Sequence, residues 1–283
     1  MRVRFIAVYC LFFINVLFCQ ENFSLVQKEQ LKFEHLGVSD GLMHNSIVTI
    51  LQDKKGYMWF GTSNGLYRYD GYNFVYYSNS PDDDFSLLSN EVNVLFEDSK
   101  GVIWIGTKFG LCHYNREEDL FITSLKTSNT NTGERQITDS VLCIEEDEFG
   151  AIWVGTRYGA YHIFKNSDTS YNVSLINSGT SENTLSHNNI NSIVEDDMGR
   201  LWFGTNAGLN LLRREKDSSF SFKRFLNKPG NKKSLSNNYV SKILKGTNGA
   251  LWIGTKKGLT VLEKDTLIGT EIFKTYTYDK LNK

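Results

Sequence analysis

The residues that could carry acid–base or metal chemistry in this chain are few and widely spaced. Five histidines are scattered along it, at His35, His44, His113, His162 and His187. No two of them have the spacing that places metal ligands on one face of a helix, and there is no nucleophile elbow, phosphate loop or Cys–His pair. The best general base that can be assembled is His187 beside Arg157. The sequence therefore favours binding over catalysis and predicts neither a metal nor a cofactor.

Four aspartates recur at one repeated position and could suggest a ring of metal ligands. They are Asp53, Asp98, Asp147 and Asp196, each six residues before a tryptophan. Each stands in an Asp-x-x-Gly segment, in which the aspartate bonds the backbone just ahead and the glycine takes a positive φ. Because there is one per repeat, they are too far apart to share an ion. We predict that they cap turns.

A repeated phrase, Trp-x-Gly-Thr-x-x-Gly, contains every tryptophan of the chain. The five copies begin at Trp59, Trp104, Trp153, Trp202 and Trp252, at intervals of 45 to 50 residues. An alternating apolar run precedes each phrase, and two more short apolar runs follow it. Each unit therefore predicts four short antiparallel strands joined by tight turns, with the tryptophan on the second strand.

Units of this length and strand content predict an all-β fold, a β-propeller with five blade repeats. The predicted blades cover about 45–78, 90–126, 139–177, 188–227 and 238–278, within a propeller domain of residues 31–283. A β-solenoid and a string of separate small domains are the rival architectures, and units this short rarely fold alone. The indoles are expected to fill the gaps between blades.

A front strand at residues 31–36 resembles the outer strand that ends each unit. In a closed ring it would complete the final blade, but the fifth unit already has its own outer strand. We therefore predict a partial, truncated ring. A complete five-bladed ring with a redundant strand is the alternative.

The turns between the second and third strands are the candidate ligand-binding region. Their residues differ between units while the flanking Gly-Thr and Gly stay the same, which is how a fixed scaffold presents variable loops. Arg157 and Tyr158 could stack on a sugar and bond its hydroxyls, and Phe109 is a second platform. The complete candidate set is Asn64, Lys108, Phe109, Arg157, Tyr158, His187, Asn206 and Lys256.

The first 20 residues have the composition of a signal peptide. Arg2 and Arg4 precede an apolar run that is too short to span a bilayer, and residues 21–30 read as a short linker. Export would permit a disulfide between Cys112 and Cys143, but two buried free thiols are the expectation. The formal net charge of −1 argues against a nucleic-acid partner.

The repeated pattern Asp-x-x-Gly-x-Leu/Ile-Trp-Ile/Phe-Gly-Thr-x-x-Gly-Leu, with a Tyr69-Asp70-Gly71 link after its first copy, resembles the two-component regulator propeller repeat. That resemblance implies the periplasmic sensor region of a hybrid two-component histidine kinase of the Bacteroidetes type. It implies further blades and signalling domains in a longer chain, a membrane connection only through that downstream region, and oligosaccharide ligands. It also implies that no kinase activity resides in these residues.

The leading interpretation is thus an exported, periplasmic ligand-sensing propeller that recognises glycan fragments. Two alternatives come from other classes of protein. One is a secreted propeller enzyme, a lyase or glycan-active enzyme, because streptogramin lyases are propellers with Trp-Gly blades. The other is a propeller that docks proteins on its flat surfaces.

Overall fold

The structure is a computed structural model, and it describes residues 33–127, 134–167, 170–216, 219–263 and 273–276. Residues 1–36 and 37–283 form two compact units. The first contributes only residues 33–36 to the description, and they are exposed and outside any strand. The predicted signal peptide and linker lie outside the described residues. In the described part of the chain, no helix combines the length and the apolar character needed to cross a bilayer.

In the second unit the described residues are all-β apart from one short 3-10 helix, Val38–Asp40. These residues form five four-stranded antiparallel sheets, whose strands follow one another in chain order. These are the five predicted blades, and the all-β propeller fold is confirmed. The strands of blades 1 to 3 are β1 (Ile47–Gln52), β2 (Met58–Thr62), β3 (Gly65–Tyr69), β4 (Phe74–Tyr77); β5 (Val92–Glu97), β6 (Ile103–Thr107), β7 (Gly110–Asn115), β8 (Leu120–Ile122); and, after the pair β9 (Ser124–Lys126) and β10 (Glu134–Gln136), β11 (Val141–Glu146), β12 (Ile152–Thr156), β13 (Ala160–Ser167), β14 (Ser170–Ile176). Those of blades 4 and 5 are β15 (Ile190–Glu195), β16 (Leu201–Thr205), β17 (Gly208–Arg214), β18 (Phe220–Phe225); and β19 (Val240–Lys245), β20 (Leu251–Thr255), β21 (Gly258–Leu262), β22 (Phe273–Tyr276).

Two features differ from the sequence expectation. The described part of the predicted front strand, residues 33–36, forms no strand, because a lone segment gains no ladder hydrogen bonds without a sheet beside it. Strands β9 and β10 form an additional two-stranded sheet between blades 2 and 3, which the repeat pattern did not predict. The register of this pair runs from Glu134 opposite Lys126 to Gln136 opposite Ser124.

Four apolar clusters lie between successive blades and form the core. Each contains the tryptophan of one blade and residues of the first strand of the next blade, which we call its inner strand. Trp104 of blade 2, for example, packs in one cluster with Val141 and Ile144 of the inner strand of blade 3. Trp59, Trp153 and Trp202 belong to equivalent clusters. All four indoles are at most 1% exposed. The prediction that these indoles fill gaps between blades is therefore confirmed for four of the five.

The two cysteines of the described residues are separate free thiols. Cys112 and Cys143 are both buried, and each sits in a different inter-blade cluster. Burial raises the pKa of each thiol to about 12. The expectation of two buried free thiols is confirmed, and they act as small apolar packing groups.

The row of blades is open at both ends. On the inner strand of blade 1, Val48 is 52% and Ile50 is 56% exposed, whereas the equivalents of Ile50 in the other blades are buried. On blade 5, Trp252 is 41% exposed. The sheets do not close into a ring within the described residues, as expected of a partial propeller.

Candidate functional site

The candidate turns share one edge of the blades with the loops that enter each inner strand. In blade 1, Ile47 at the start of the inner strand is paired with Thr62 at the end of β2, and Tyr77 at the end of β4 is paired with Leu66. The other blades repeat the first pairing. The turns after Gly-Thr and the loops between blades therefore lie together, and the Asp-x-x-Gly turns lie at the opposite edge. We call the first of these the turn edge.

Each turn at this edge is held by the same threonine. In blade 1 the Thr62 Oγ1 donates to the carbonyl of Gly65 at 2.9 Å and accepts from the N–H of Asn64 at 2.9 Å. The glycine has a φ of +103°, which an L side chain rarely adopts. The same threonine-to-glycine hydrogen bond occurs in the other four blades. The two residues between threonine and glycine are thus free to vary without disturbing the turn.

The backbone of the turn is also tied to the inner strand. The N–H of Lys108 donates to the carbonyl of Glu91 at 3.0 Å, and the N–H of Lys256 donates to that of Tyr239 at 3.3 Å. Blades 1 and 4 repeat the contact. This fixes where the turn side chains begin, next to the residue that precedes each inner strand. A rigid scaffold therefore presents a variable set of side chains.

The turn side chains combine exposed aromatic rings with cations and amides. Phe109 is 58% and Tyr158 is 63% exposed, and both lie in turns that also carry a cation, Lys108 or Arg157. The Lys108 Nζ lies 5.6 Å from the centre of the Phe109 ring. Large apolar rings left in water beside hydrogen-bond donors can contact a ligand that has both flat apolar and polar groups.

Neighbouring side chains complete three of the turns, and the sequence pattern did not single them out. Glu91 pairs with the Lys108 Nζ at 2.5 Å, and Tyr239 lies under the Lys256 Nζ, which is 3.9 Å from its ring centre. Asn191 donates from Nδ2 to the Asn206 Oδ1 at 3.0 Å. Each of the three stands one residue before or after the first buried residue of an inner strand. The pairing of the inner strand with the second strand places the residues at the start of the inner strand beside the turn, so knowledge of that register would have identified these three side chains.

His187 is placed at the turn edge but bonds within its own loop. Its Nδ1 accepts a hydrogen bond from the N–H of Asn189 at 2.8 Å, and His44 makes the same contact with Ser46 at 3.3 Å. These loop histidines therefore shape the entry into the inner strand. Asn64 is held by Thr62 and offers its carbonyl to the hydroxyl of Tyr76 at 3.2 Å.

The repeated aspartates cap turns at the opposite edge, as predicted. The Asp98 Oδ1 accepts from the N–H groups of Lys100 and Val102, and its Oδ2 accepts from the Trp104 Nε1 at 3.0 Å. Asp53, Asp147 and Asp196 make the same three contacts with their own turns and tryptophans. One carboxylate thus fixes both the turn and the indole.

Arginines strengthen this opposite edge. The Arg116 guanidinium of blade 2 reaches Asp53 of blade 1 at 2.8 Å. Burial alone would raise the pKa of Asp53, but the hydrogen bonds from Trp59 and Arg116 outweigh it and hold that pKa below its ordinary value.

Within the residues that the structure describes, no group of three or more His, Cys, Asp or Glu side chains is assembled as metal ligands.

A cavity lies on the outer side of blade 4, away from the candidate turns. It has a volume of about 330 Å³ and is lined by Glu182, Asn183, Arg213, Phe222, Lys223, Arg224 and Leu226. Arg224 is committed to the preceding loop, since its guanidinium donates to the carbonyls of Thr184 and Leu185. None of the sequence-predicted site residues lines this cavity.

Comparison with known proteins identifies the repeat. The family described as two component regulator propeller matches five segments, residues 41–64, 86–109, 136–158, 184–207 and 234–257. Each segment runs from the loop before an inner strand to the turn after Gly-Thr. These segments are two component regulator propeller repeats.

Longer proteins, among them a hybrid two component system and a histidine kinase, contain similar regions. The extracellular domain of a hybrid two component system from B. thetaiotaomicron is 28% identical, with a TM-score of 0.67 over 86% of this chain and 32% of that one. Over 61 residues, 22% of this chain and 4% of the relative, the repeats are 39% identical to "Histidine kinase P4" of Formosa agariphila. This chain therefore spans less than a third of the length of the relatives named here.

A more distant likeness extends to an enzyme. The virginiamycin B lyase of Staphylococcus aureus is 14% identical, with a TM-score of 0.53 over 84% of this chain and 71% of the lyase. At this identity the likeness concerns the fold alone. The region that carries the two component regulator propeller repeats, in contrast, matches the extracellular domain of the hybrid two component system in sequence as well as in fold.

Proposed function

We propose that this chain is an extracytoplasmic ligand-sensing propeller segment of a two-component signalling system, and that its ligand binds at the turn edge. The observation that carries the proposal is the constancy of the turn scaffold beside the variety of its side chains. The same Thr–Gly hydrogen bond recurs in five blades, while the presented pairs range from Ser63-Asn64 to Lys256-Lys257. Such a scaffold is built to vary contacts and to keep geometry.

Glycan fragments are the ligand class that these side chains fit. Exposed Phe109 and Tyr158 offer flat apolar surfaces to the C–H faces of a sugar ring. Arg157, Asn206 and Lys256 add donors and acceptors for hydroxyl and carboxylate groups. A mixed aromatic and polar surface of this kind distinguishes a sugar from a purely apolar ligand.

Signal transmission belongs to further domains. The similar regions lie in a hybrid two component system and in a histidine kinase, both of which are much longer than this chain. We propose that the kinase and the membrane connection lie in such domains, and that the N-terminal segment of residues 1–20 directs export to the periplasm. The propeller itself binds ligand and does not catalyse in this proposal. Its best general-base candidate, His187, accepts a hydrogen bond at Nδ1 from the N–H of Asn189 within its own loop, so this ring nitrogen is not directed at a substrate.

The test is a binding screen on the purified chain. Thermal shift against a panel of neutral and acidic oligosaccharides should identify a stabilising glycan, because a ligand that binds only the folded state raises the apparent melting temperature. Calorimetry then gives the Kd. Tyr158→Ala and Phe109→Ala should each weaken binding about tenfold, which corresponds to about 1.4 kcal/mol.

The matched control is Met198→Ala, which removes an exposed apolar side chain from an Asp-x-x-Gly turn at the opposite edge. It should leave the Kd unchanged. Turnover of an oligosaccharide by the purified chain, or a glycan whose affinity falls with Met198→Ala and not with Tyr158→Ala, would contradict the proposal.

A further inference from the structure

The cavity on the outer side of blade 4 lies beside β18, which is the last strand of that sheet. The loop that precedes blade 4 borders it, and the N–H of Phe222 fixes that loop by donating to the carbonyl of Asn183 at 2.8 Å. The cavity volume of about 330 Å³ lies at the lower end of the range of small-molecule sites, about 300–1,000 Å³. The space is therefore large enough for one small molecule.

Three cations and one carboxylate line this cavity. Arg213, Lys223 and Arg224 carry the positive charges, and Glu182 on the exposed loop carries the negative charge. The whole chain, by contrast, has a formal net charge of −1. The excess of positive charge is therefore local, and it favours an anionic ligand at this place.

Arg213 is an exposed guanidinium that has no carboxylate partner. Within the described residues it forms neither an ion pair nor a hydrogen bond. Other arginines of the described chain each pair with an aspartate, namely Arg68, Arg116, Arg200 and Arg214. A guanidinium binds carboxylate and phosphate groups through two parallel hydrogen bonds. Arg213 has this donor geometry available for a ligand.

Arg224 holds the loop beside the cavity and keeps its own charge uncompensated. Its Nε donates to the carbonyl of Thr184 at 2.8 Å, and its Nη2 donates to the carbonyls of Ser181 and Leu185 at 2.8 and 2.9 Å. These acceptors are neutral, and among the described residues no carboxylate pairs with Arg224. Because the cation is already fixed, an arriving anion does not have to order it.

Blade 5 carries an ion pair where blade 4 carries two cations. Arg213 stands five residues after the glycine that begins β17, and Glu263 stands five residues after the glycine that begins β21. Strand pairing places Lys223 of β18 and Lys274 of β22 at equivalent positions. The Lys274 Nζ lies 2.5 Å from the Glu263 Oε1. Blade 4 therefore lacks the carboxylate that blade 5 has at this position.

We propose that the cavity of blade 4 binds a small organic oxyanion, and that Arg213 binds its carboxylate, sulfate or phosphate group. The anionic group takes the place of the carboxylate that Glu263 supplies in blade 5. Lys223 lies diagonally across the strand pair from Arg213, within reach of the same group. Arg224 is a positioning residue that holds the loop, and the half-exposed Leu226 contacts the uncharged body of the ligand. The proposal does not depend on a ligand at the turn edge.

Calorimetric titration of the purified chain with four sugars of similar size tests this. Glucuronate, a glucose sulfate ester and a glucose phosphate ester carry the three oxyanions, and glucose is the neutral control. The ionic strength is set to about 0.15 M, where charges separated by more than about 8 Å are largely screened. We expect at least one of the three anions to bind more tightly than glucose. The anion that binds most tightly identifies the group that the site selects.

Two substitutions with opposite expected effects locate the binding. Arg213→Glu places the residue of blade 5 in blade 4, and it should weaken anion binding at least about tenfold. Glu182→Gln removes the carboxylate from the lining and should tighten binding about threefold. The matched control is Lys100→Glu, which makes the same change of charge in an exposed turn of blade 2 and should leave the Kd unchanged.

Three results would overturn the proposal. The first is that none of the three anions binds, or that glucose binds equally well at a site that Arg213→Glu removes. The second is an equal loss of affinity with Arg213→Glu and Lys100→Glu, because net charge alone would then explain the binding. The third is an anion whose binding is lost with Tyr158→Ala and kept with Arg213→Glu, since that anion would bind at the turn edge.

Discussion

Blade 5 carries the same Trp-Gly-Thr phrase as blades 1 to 4, yet its tryptophan has a different environment. Trp59, Trp104, Trp153 and Trp202 are buried, each bonded through Nε1 to its own aspartate, and each covered by the inner strand of the following blade. Trp252 is partly exposed, and Gly246 stands in place of the aspartate. The phrase builds the strand and its turn, whereas burial of the indole comes from the next blade.

The comparison predicts a large difference between interior and terminal indoles. Trp153→Ala should lower the free energy of unfolding by about 3–5 kcal/mol, because it empties a filled gap between blades 3 and 4. Trp252→Ala should cost only about 1–2 kcal/mol, since much less apolar surface leaves a dry environment. Chemical denaturation of the two variants provides the measurement. Equal losses would mean that the two indoles are equally buried in solution.

The aspartate that blade 5 lacks should account for the next largest effect. Asp98→Ala should cost about 2–3 kcal/mol, because the Trp104 Nε1 and two turn N–H groups lose their acceptor. Gly246→Asp should gain little, because a Cβ at this position would lie 2.9 Å from the Asn248 Oδ1, which already accepts from the N–H of Ala250. Urea melts of both variants would check this. A stabilising Asp98→Ala would show that the carboxylate does not hold the turn.

Two glycines of the Trp-x-Gly-Thr phrase, one in blade 2 and one in blade 5, offer a matched pair of smaller substitutions. Gly106→Ala should cost about 1–3 kcal/mol, because the added methyl group overlaps the Val141 side chain. Gly254→Ala should change stability by less than about 0.5 kcal/mol, because the one tight neighbour of the added methyl group, the Ser241 Oγ at 3.3 Å, ends a side chain that can move by a few tenths of an ångström. Thermal melts of the two variants under one condition make the comparison. A costly Gly254→Ala would indicate that this face is already covered.

Two histidines on the third strands should give the chain its acid sensitivity. Burial lowers the pKa of His113 and of His162 to about 4, against 6.5 for a free imidazole. The unfolded chain takes up protons near pH 6.5 and the folded chain only near pH 4. The free energy of unfolding is therefore greatest above pH 6.5 and falls as the pH drops towards 4.

Leucine is the matched replacement for both histidines, because Leu211 occupies the equivalent register position in blade 4. The double variant His113→Leu, His162→Leu should lose part of the stability change between pH 6.5 and 4. Denaturant melts at several pH values measure this slope. An unchanged slope would place the acid sensitivity in other groups.

The repeat made most of the scaffold predictable from sequence. Alternating apolar runs and Asp-x-x-Gly turns predict strands whose order and pairing the structure confirms, because local turn chemistry and strand period agree with the packing between blades. The roles of Asp98 as a cap and of Trp104 as an inter-blade filler follow from their fixed spacing. The turn edge follows from the antiparallel order of the strands.

Features that depend on neighbouring blades escaped the sequence. Exposure of Trp252 depends on whether a further blade is present, and nothing in the phrase itself encodes that. The contacts of Glu91 and Tyr239 with turn lysines depend on the register of the inner strand, which the pairing of Val92 with Thr107 and of Val240 with Thr255 sets. The pair β9 and β10 lies outside the repeat, so periodicity gave no signal for it.

The most direct test of this account is iodide quenching of the chain with its tryptophans replaced one at a time by phenylalanine. The indoles of Trp59, Trp104, Trp153 and Trp202 should be shielded from iodide between the blades, and the indole of Trp252 should be accessible to it. We predict that Trp252→Phe abolishes most of the quenching and that Trp104→Phe leaves it unchanged. Quenching spread evenly over the five tryptophans would contradict the stacking of blades about their indoles.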